Sequence, residues 1–327
     1  MTPVKRALAV VCVALAAVAC SSDDGGDASG DTPETTATTV PTTTTVPGPT
    51  PDELAAAVCA AQRVRPSARI SNPEITELSG IAAMDSGWWV HNDSGDSARV
   101  FRLAEDGTTL ATVNLDGVEA TDWEDIASAG PASGELFVGD IGDNGAVRSE
   151  ILVQHVTIPD PVPTGEVSLP PEDLQTITLH YPNGPRDAET LLVDPVTRDL
   201  VVVHKVFGGD SELYVAAEDD WSDGDATLEA AGTVAVGDTP LDATTAGDIG
   251  FDGQVVALRT YAAILVFPRE EDQTVTEALA DNQPCNATAP IEVQGEALAF
   301  TPEGYVTISE GERSRINRFA VTVPTVS

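Results

Sequence analysis

Basic residues are scarce in this chain of 327 residues. Sixteen lysines and arginines stand against 53 aspartates and glutamates, which gives a formal net charge of −37. Electrostatic binding to nucleic acid or to anionic lipid requires lysines and arginines that face the phosphates. The composition therefore excludes both of these partners. Two interpretations of the acidic surface remain, which are solubility outside the cell and the binding of cations.

Long apolar runs are also few. The run Ala7–Ala17 is too short to span a bilayer stably, and it follows the positive pair Lys5 and Arg6. It leads into Ala17-Val18-Ala19-Cys20, which resembles the lipobox of a bacterial lipoprotein. We therefore expect residues 1–19 to be a signal peptide. Cys20 would carry the acyl chains of an anchor that holds the protein on the extracellular side of the cell membrane. A plain cleaved secretory signal is the alternative.

Cysteine is limited to four residues. Cys12 leaves with the signal peptide and Cys20 is expected to be acylated, so Cys59 and Cys285 remain. Two remaining cysteines in an exported protein most simply form a disulfide. The alternative is a pair of buried thiols.

The chain divides at about residue 50. Residues 20–49 are rich in Thr, Pro, Ser and Asp, and such a segment buries too little apolar surface to fold, which predicts a disordered tether behind Cys20. Thr50-Pro51-Asp52-Glu53 is a capping box with proline at the first helical position, so a short N-terminal helix is expected to follow. Residues 50–327 are then one domain.

A repeated pattern runs through this domain. A polar residue precedes a short apolar strand, a turn, a second apolar strand and a polar tip. The five copies begin at Glu77, Asp122, Asp187, Ala246 and Gln294. Their spacing of roughly 45 to 65 residues is in the range of propeller blades. The sequence predicts an all-β fold, a β-propeller with five blades. Six blades is the alternative, because residues 160–185 and 218–243 are long enough to contain further strands. The last copy shows only three strands, and Val64–Asn72 could supply the fourth.

Aligning the copies on their first apolar pair predicts a ring of oxygen ligands around the channel. The proposed metal ligands are Ser79, Glu124, Glu189, Asp248 and Glu296. In the fourth copy Gly247 stands at the aligned position, so Asp248 or Thr245 would substitute for it. Carboxylates that face one another in a narrow channel repel, and a hard cation such as Ca²⁺ would relieve the repulsion. The alternative is that these carboxylates are solvated caps of strand ends.

A second ring is expected where the second strands end, above the first ring. Its candidate catalytic residues are His91, Asp93, Asp140, Lys205, Arg259 and Glu310. Lys205 and Arg259 could hold a phosphate or carboxylate beside the cation, with an Asp or His as general base. The alternative is that these are ordinary loop residues and ion pairs between blades. Gly-x-Ser-x-Gly and His-Glu-x-x-His motifs are missing, which leaves no support for a serine hydrolase triad or a zinc peptidase.

The pattern resembles the calcium-dependent β-propellers. These are the apyrase-type nucleotidases, the β-propeller phytases, and the SMP-30-like and phytase-esterase-like group. The resemblance is carried by Glu77-Leu78-Ser79, Glu124, Glu189 and Glu296, and Gly247 departs from it. The motifs from His91-Asn92-Asp93-Ser94-Gly95 onward also resemble uncharacterised exported propeller lipoproteins of actinobacteria.

The resemblance implies a central Ca²⁺ and leaves two functions open. The first is a monomeric, surface-anchored calcium-binding propeller that binds a small ligand, a glycan or a surface partner at its open face. The alternative is a Ca²⁺-dependent hydrolase of phosphate or carboxylic esters. The low number of basic residues near the second ring favours the first.

Overall fold

The computed structural model describes residues 48–324. The expected signal peptide, the acylated Cys20 and nearly all of the expected tether lie outside these residues. No helix within residues 48–324 is long and apolar enough to cross a membrane.

Short strands dominate the described residues, and three short helices accompany them. The helices are α1 (Pro51–Cys59), α2 (Glu218–Trp221) and α3 (Val275–Asp281). The first eleven strands are β1 (Gln62–Arg63), β2 (Ala68–Arg69), β3 (Leu78–Met84), β4 (Gly87–Asn92), β5 (Arg99–Leu103), β6 (Thr109–Leu115), β7 (Trp123–Ser128), β8 (Glu135–Asp140), β9 (Ile151–Thr157), β10 (Gly165–Leu169) and β11 (Leu174–His180). The rest are β12 (Ala188–Val193), β13 (Leu200–His204), β14 (Asp210–Ala216), β15 (Asp225–Thr227), β16 (Glu229–Ala235), β17 (Thr244–Gly250), β18 (Val255–Thr260), β19 (Ile264–Pro268), β20 (Cys285–Ala287), β21 (Gly295–Thr301), β22 (Gly304–Ser309) and β23 (Arg315–Ala320).

These strands form five sheets arranged as the blades of a propeller, as predicted. Blade 1 is β3-β4-β5-β6-β10, blade 2 is β7-β8-β9-β11-β15, blade 3 is β12-β13-β14-β16, blade 4 is β17-β18-β19-β20, and blade 5 is β21-β22-β23 with β1 and β2. The first strand of each blade contacts the first strands of both neighbours, so β3, β7, β12, β17 and β21 close a ring around the channel.

Two outer strands explain why five is the correct number of blades. The segments long enough for a sixth blade contain β10 and β15, and each of these extends the preceding blade. β10 pairs in parallel with β6, and β15 pairs in parallel with β11. Each therefore covers an outer edge that would otherwise be exposed.

The two ends of the domain meet in blade 5. β1 and β2 both pair antiparallel with β23. The Val64 N–H also donates to the Arg318 carbonyl at 2.8 Å. The prediction that residues 64–72 complete the last blade is thus confirmed in outline, although the added strand is interrupted and starts earlier, at Gln62.

The predicted N-terminal helix and disulfide are confirmed. Helix α1 has the expected capping box of Thr50 and Glu53, and Pro51 is its first residue. Its last residue, Cys59, is bonded to Cys285 at the start of β20. The helix therefore covers the outer edge of blade 4, where its apolar face packs.

The hydrophobic core lies between the blades. Five clusters of buried side chains fill the five interfaces, each represented by one large residue: Trp89 between blades 1 and 2, Phe137 between 2 and 3, Phe267 between 3 and 4, Tyr305 between 4 and 5, and Phe101 between 5 and 1. This packing holds the inner strands in place, and their starting ends all open on the same face. We call this end of the channel the mouth.

Candidate functional site

A β-bulge interrupts the ladder of every inner strand at its second residue. The extra residues are Ser79, Glu124, Glu189, Thr245 and Glu296. We call these five residues the bulge ring. A bulge changes the direction of a side chain, so the repetition gives five equivalent positions around the channel. The register corrects the alignment of the fourth repeat, because Thr245 and not Asp248 occupies its bulge.

A second ring lies beside the first. The residue that directly follows the second strand of each blade is Asp93, Ile141, Lys205, Tyr261 or Glu310. We call these five residues the mouth ring. Three of them are fixed by a backbone bond to the residue two places before the bulge. Asp93 N–H donates to the Glu77 carbonyl at 2.7 Å, and the N–H groups of Lys205 and Glu310 make the corresponding bonds at 2.9 Å.

Three carboxylates from blades 1 and 2 converge where the rings meet. One oxygen each of Asp93, Asp122 and Glu124 lies within 4.8 Å of the other two. We call these residues the acid triad. Gly142 lies against it, and a Cβ atom at that position would overlap oxygens of Glu124 and Asp122. The backbone thus approaches the carboxylates as closely as only glycine permits.

The acid triad carries more negative charge than the nearby basic residues compensate. Burial raises the pKa of Glu124 to about 10, and the nearby charges of Asp93 and Asp122 raise it further. Burial and the charge of Asp93 likewise raise the pKa of Asp122 to about 6. The pKa of Asp93 is raised by burial as well, despite the hydrogen bond from the Ser94 N–H. At neutral pH such a group must either retain protons or bind a cation.

The basic residue of the rings is Lys205, which directly follows β13 in blade 3. Lys205 is 8% exposed, and its ammonium group forms an ion pair with Glu189. It also lies 5.3 Å from the centre of the Phe207 ring and 5.6 Å from that of Tyr261. Lys205 and Glu189 therefore neutralise each other. The positive charge of Lys205 is largely used in this pair and compensates the negative charge of the acid triad only in part.

Glu296 forms the third part of the site. The Tyr261 hydroxyl donates to its Oε1 at 3.5 Å. Burial, followed by interaction with Glu310, raises the pKa of Glu296 to about 8. Glu296 and Glu310 are therefore a second group of acids in the rings, beside the acid triad, and they cannot easily both be ionised.

The hydroxyl groups of the bulge ring serve the framework. Ser79 Oγ donates to the Glu124 carbonyl at 2.6 Å, and Thr245 Oγ1 donates to the Gly295 carbonyl at 2.7 Å. Each bond links one inner strand to the next. The proposed ligand Ser79 thus has its hydroxyl hydrogen directed at backbone.

Four of the sequence-predicted site residues lie behind the rings. Asp248 accepts from the N–H groups of Ile249 and Phe300, at 2.8 and 2.6 Å, and so bridges blades 4 and 5. Arg259 is 1% exposed, forms an ion pair with Glu292 and donates to the Ala297 carbonyl at 2.9 Å. Arg259 therefore does not form an anion clamp with Lys205.

His91 and Asp140 are also framework residues. His91 is fully buried, its Nδ1 lies 2.8 Å from the Asn92 carbonyl, and burial lowers its pKa to about 4, so it is neutral at physiological pH. Asp140 accepts from the N–H groups of Thr121 and Asp122 and pairs with Arg148 at 2.7 Å. It thereby fixes the turn that presents Asp122.

The structure brings together seven of the predicted residues in the two rings: Ser79, Asp93, Glu124, Glu189, Lys205, Glu296 and Glu310. Asp122, the third member of the acid triad, was not among the predicted site residues. It could have been found from the repeat, because Glu77 and Asp187 stand at the same place, two residues before a bulge. Gly142 gave no recognisable signal, since its role depends on a contact between segments.

Apolar side chains surround the acidic mouth. Five of the large hydrophobic residues exposed in the described chain lie in loops on this face: Val147, Phe207, Leu241, Ile291 and Val293. Ile291 and Val293 are almost fully exposed, at 106% and 94%. An exposed apolar rim around a polar centre is typical of an interaction site.

Comparisons with known families and known proteins give no information on the chemistry of the site. No family model and no curated protein matches the sequence. Among solved structures, the chain is similar to the PQQ-bound aldose sugar dehydrogenase of Streptomyces coelicolor, with 12% identity, a TM-score of 0.45, and coverage of 80% of this chain and 98% of that one. The glutaminyl cyclase of Myxococcus xanthus gives 12% identity, a TM-score of 0.45 and coverage of 80% and 97%. The structure of U3-55K is 9% identical to this chain, with a TM-score of 0.39 and coverage of 74% of this chain and 80% of that one.

Proposed function

We propose that this protein is a surface-anchored, calcium-binding β-propeller that binds a small ligand, a glycan or a partner protein at its mouth. The observation that supports it best is the acid triad, three converging carboxylates whose pKa values are all raised. Carboxylate oxygens are the ligands that Ca²⁺ prefers. The triad contains no His or Cys, which argues against a zinc centre. The proposal of a membrane anchor is supported only by the lipobox-like sequence that ends at Cys20.

The residues around the triad suit the binding of a cation. Asp93, Asp122 and Glu124 would hold the ion, and Gly142 leaves room for its approach. Arg148 compensates Asp140, the residue that fixes the Asp122 turn. A bound Ca²⁺ would supply the positive charge that the carboxylates lack, together with coordination positions for oxygen atoms of a ligand.

The mouth face supplies the rest of a binding site. Its apolar rim could contact the body of a ligand or partner, while the rings recognise polar groups. Lys205 is the only lysine or arginine in the two rings, and Glu189 already pairs with it. Neutral polyhydroxyl groups, such as those of a glycan, fit this charge balance better than a phosphate would.

Ester hydrolysis remains the second candidate because of one observation. Burial raises the pKa values of Asp93 and Glu124, and Lys205 is close enough for its positive charge to oppose both increases. A phosphate or carboxylic ester could therefore bind between the ammonium and a triad-bound cation, with Asp93 as general base. Turnover of such esters that requires Ca²⁺ would favour this candidate over simple binding.

The test is thermal unfolding of the protein with Ca²⁺ and with a chelator. A ligand that binds only the folded state stabilises it, by roughly 3 kcal/mol at 100 times its dissociation constant. We expect Asp122→Asn to abolish the calcium-dependent rise in Tm. The matched control is Glu77→Gln, which removes a charge at the equivalent position of blade 1, outside the triad. Equal calcium stabilisation of wild type and Asp122→Asn would refute the site.

A further inference from the structure

A cavity of about 550 Å³ opens at the other end of the channel from the mouth. The turns between the first and second strands of all five blades line it. Representative residues are Ala83 of blade 1, Ser128 of blade 2, Pro195 of blade 3, Phe251 of blade 4 and Phe300 of blade 5. We call it the hairpin cavity. It shares no residue with the bulge ring or the mouth ring.

The wall of the hairpin cavity is mostly apolar. The rings of Phe251 and Phe300 pack edge to face with their centres 5.7 Å apart. Pro131, Pro195 and Pro302 form parts of the rim. Val196 at the rim is 69% exposed, which is unusual for an aliphatic side chain. A concave apolar surface of this size suits a small organic molecule.

The rim of the cavity is held in one arrangement. Arg269 forms a buried two-point ion pair with Asp194, at 3.0 and 2.7 Å, and donates to the Gly253 carbonyl. This joins the turns of blades 3 and 4. The Asp85 N–H donates to the Pro131 carbonyl at 2.9 Å and so joins the turns of blades 1 and 2. A preorganised site loses little free energy to ordering when a ligand binds.

Two carboxylates lie in the wall, Asp248 and Asp252. Each oxygen of Asp248 accepts a single backbone N–H, from Ile249 and from Phe300, while a carboxylate oxygen has two acceptor sites. The apolar surroundings raise the pKa of Asp248 to about 7. The other acid of the wall, Asp252, is exposed to solvent. Asp248 is therefore a poorly solvated acceptor beside two aromatic rings.

We propose that the hairpin cavity binds a small hydrophobic amine, whose apolar body packs on Phe251 and Phe300 and whose ammonium donates to Asp248. A carboxylate with little access to water selects a positively charged donor over a neutral one, since charge-assisted hydrogen bonds are stronger. The surplus of acids over bases in the chain also favours the approach of a cation.

The experiment compares two probes by fluorine NMR titration of the protein at about pH 8, where benzylamines are still mainly protonated. The probes are 4-(trifluoromethyl)benzylamine and the uncharged 4-(trifluoromethyl)benzyl alcohol. We expect the amine to bind roughly tenfold more tightly or better, as a hydrogen bond between charged groups requires. Asp248→Asn should remove this preference. Asp252→Asn, which removes the same charge from the rim, should retain it.

A second variant covers the case in which Asp248→Asn does not fold. Phe251→Ala should weaken both probes by a similar factor and leave the preference for the amine in place. No binding of either probe, equal binding of both, or an amine preference that survives Asp248→Asn would overturn the proposal. So would unchanged affinity in Phe251→Ala, because the probe would then bind elsewhere, for example at the acidic mouth.

Discussion

Glu124 shows how single residues decide the chemistry of the mouth. It is 5% exposed and shares its surroundings with two other acids, so its ionised form is costly without a cation. Asp248 and Arg259, which carry equally suggestive side chains, instead bond to the backbone between blades. Glu124 is the bulge residue of its strand, whereas Asp248 lies three residues after the bulge of β17 and Arg259 lies in the second strand of blade 4.

Gly142 provides the sharpest residue-scale test. In Gly142→Ala the added methyl group would overlap the oxygens of Glu124 and Asp122, and the acid triad would have to open. We expect calcium affinity to fall by about 10- to 100-fold, as for other substitutions that displace metal ligands indirectly. Calorimetric titration with Ca²⁺ measures this change.

Gly145→Ala is the matched control for that experiment. A Cβ at residue 145 would meet its nearest neighbour, Val147, at 3.7 Å, which is ordinary contact. Its calcium affinity should equal that of wild type. If both alanine variants bind Ca²⁺ as wild type does, the ion is not held by the triad.

Part of the site could be read from the sequence, and part could not. The acids of the bulge ring were identifiable because they recur at the start of apolar strands. The alignment on apolar residues missed Thr245, because Gly247 stands two places after the bulge where the other four copies have Ile or Leu, and the fourth copy was therefore aligned two residues too late, on Ile249. The burial of His91 and Arg259 depends on the neighbouring blade, which lies about 40 residues away in sequence.

At the scale of the strand, side-chain hydroxyls make some of the links between blades. Thr245→Val keeps the shape of the side chain and removes the hydrogen bond to the Gly295 carbonyl. We expect it to lower the free energy of unfolding by about 1–3 kcal/mol, because the carbonyl loses its buried donor. Urea-induced unfolding measures the change.

Thr307→Val is the control, because the Thr307 hydroxyl is fully buried and has no hydrogen-bond partner in residues 48–324. This substitution should be neutral or stabilising. A loss of stability as large as that of Thr245→Val would mean that packing, and not the bond between blades, determines the effect.

A disulfide joins helix α1 to blade 4, in addition to the apolar contacts of the helix. The bond between Cys59 and Cys285 closes a loop with a sequence separation of 226. We expect the double variant Cys59→Ala/Cys285→Ala to be less stable by about 2–5 kcal/mol, the usual contribution of a native disulfide. Denaturant unfolding would show it, and reductant should lower the stability of wild type but not of the variant. Two free thiols in the untreated protein would contradict this prediction.

For the whole molecule, the acidic mouth predicts an unusual dependence of stability on pH. The folded pKa values of Glu124 and Glu296, about 10 and about 8, lie above the value near 4.3 for an unfolded chain. The protonated groups therefore contribute stability that is fully present below about pH 4 and is lost as pH rises through the folded values. Without Ca²⁺, Tm should fall from about pH 5 to 8.

Calcium should reverse this trend, because the cation binds the ionised carboxylates and its affinity rises as they lose their protons. Glu124→Gln/Glu296→Gln should flatten the dependence in the absence of Ca²⁺, since glutamine does not titrate. Melting curves at several pH values, with Ca²⁺ and with chelator, test both statements. A Tm that rises between pH 5 and 8 with chelator would show that the mouth acids are not protonated in the folded state.

The fold itself was largely predictable. Strand–turn–strand repeats, dense turn signals and the incomplete last copy indicated a propeller closed by its two ends. The exact course of residues 160–185 and 218–243 was not predictable, since β10 and β15 are held by parallel pairing with distant strands. Their own sequences are short and give no sign of the blade that they join.

The meeting of the two ends in blade 5 has a consequence for the order in which the chain is made. Arg69 pairs with Arg315, so the first strands wait for their partner until almost the whole chain has been synthesised. At a synthesis rate of about 5–20 residues per second, this interval lasts roughly tens of seconds. During that time the propeller is an incomplete ring of blades, and the edges on both sides of the gap are unpaired. The acid triad lies in blades 1 and 2, but the bulge ring and the mouth ring become complete only when Glu296 and Glu310 of blade 5 have been added.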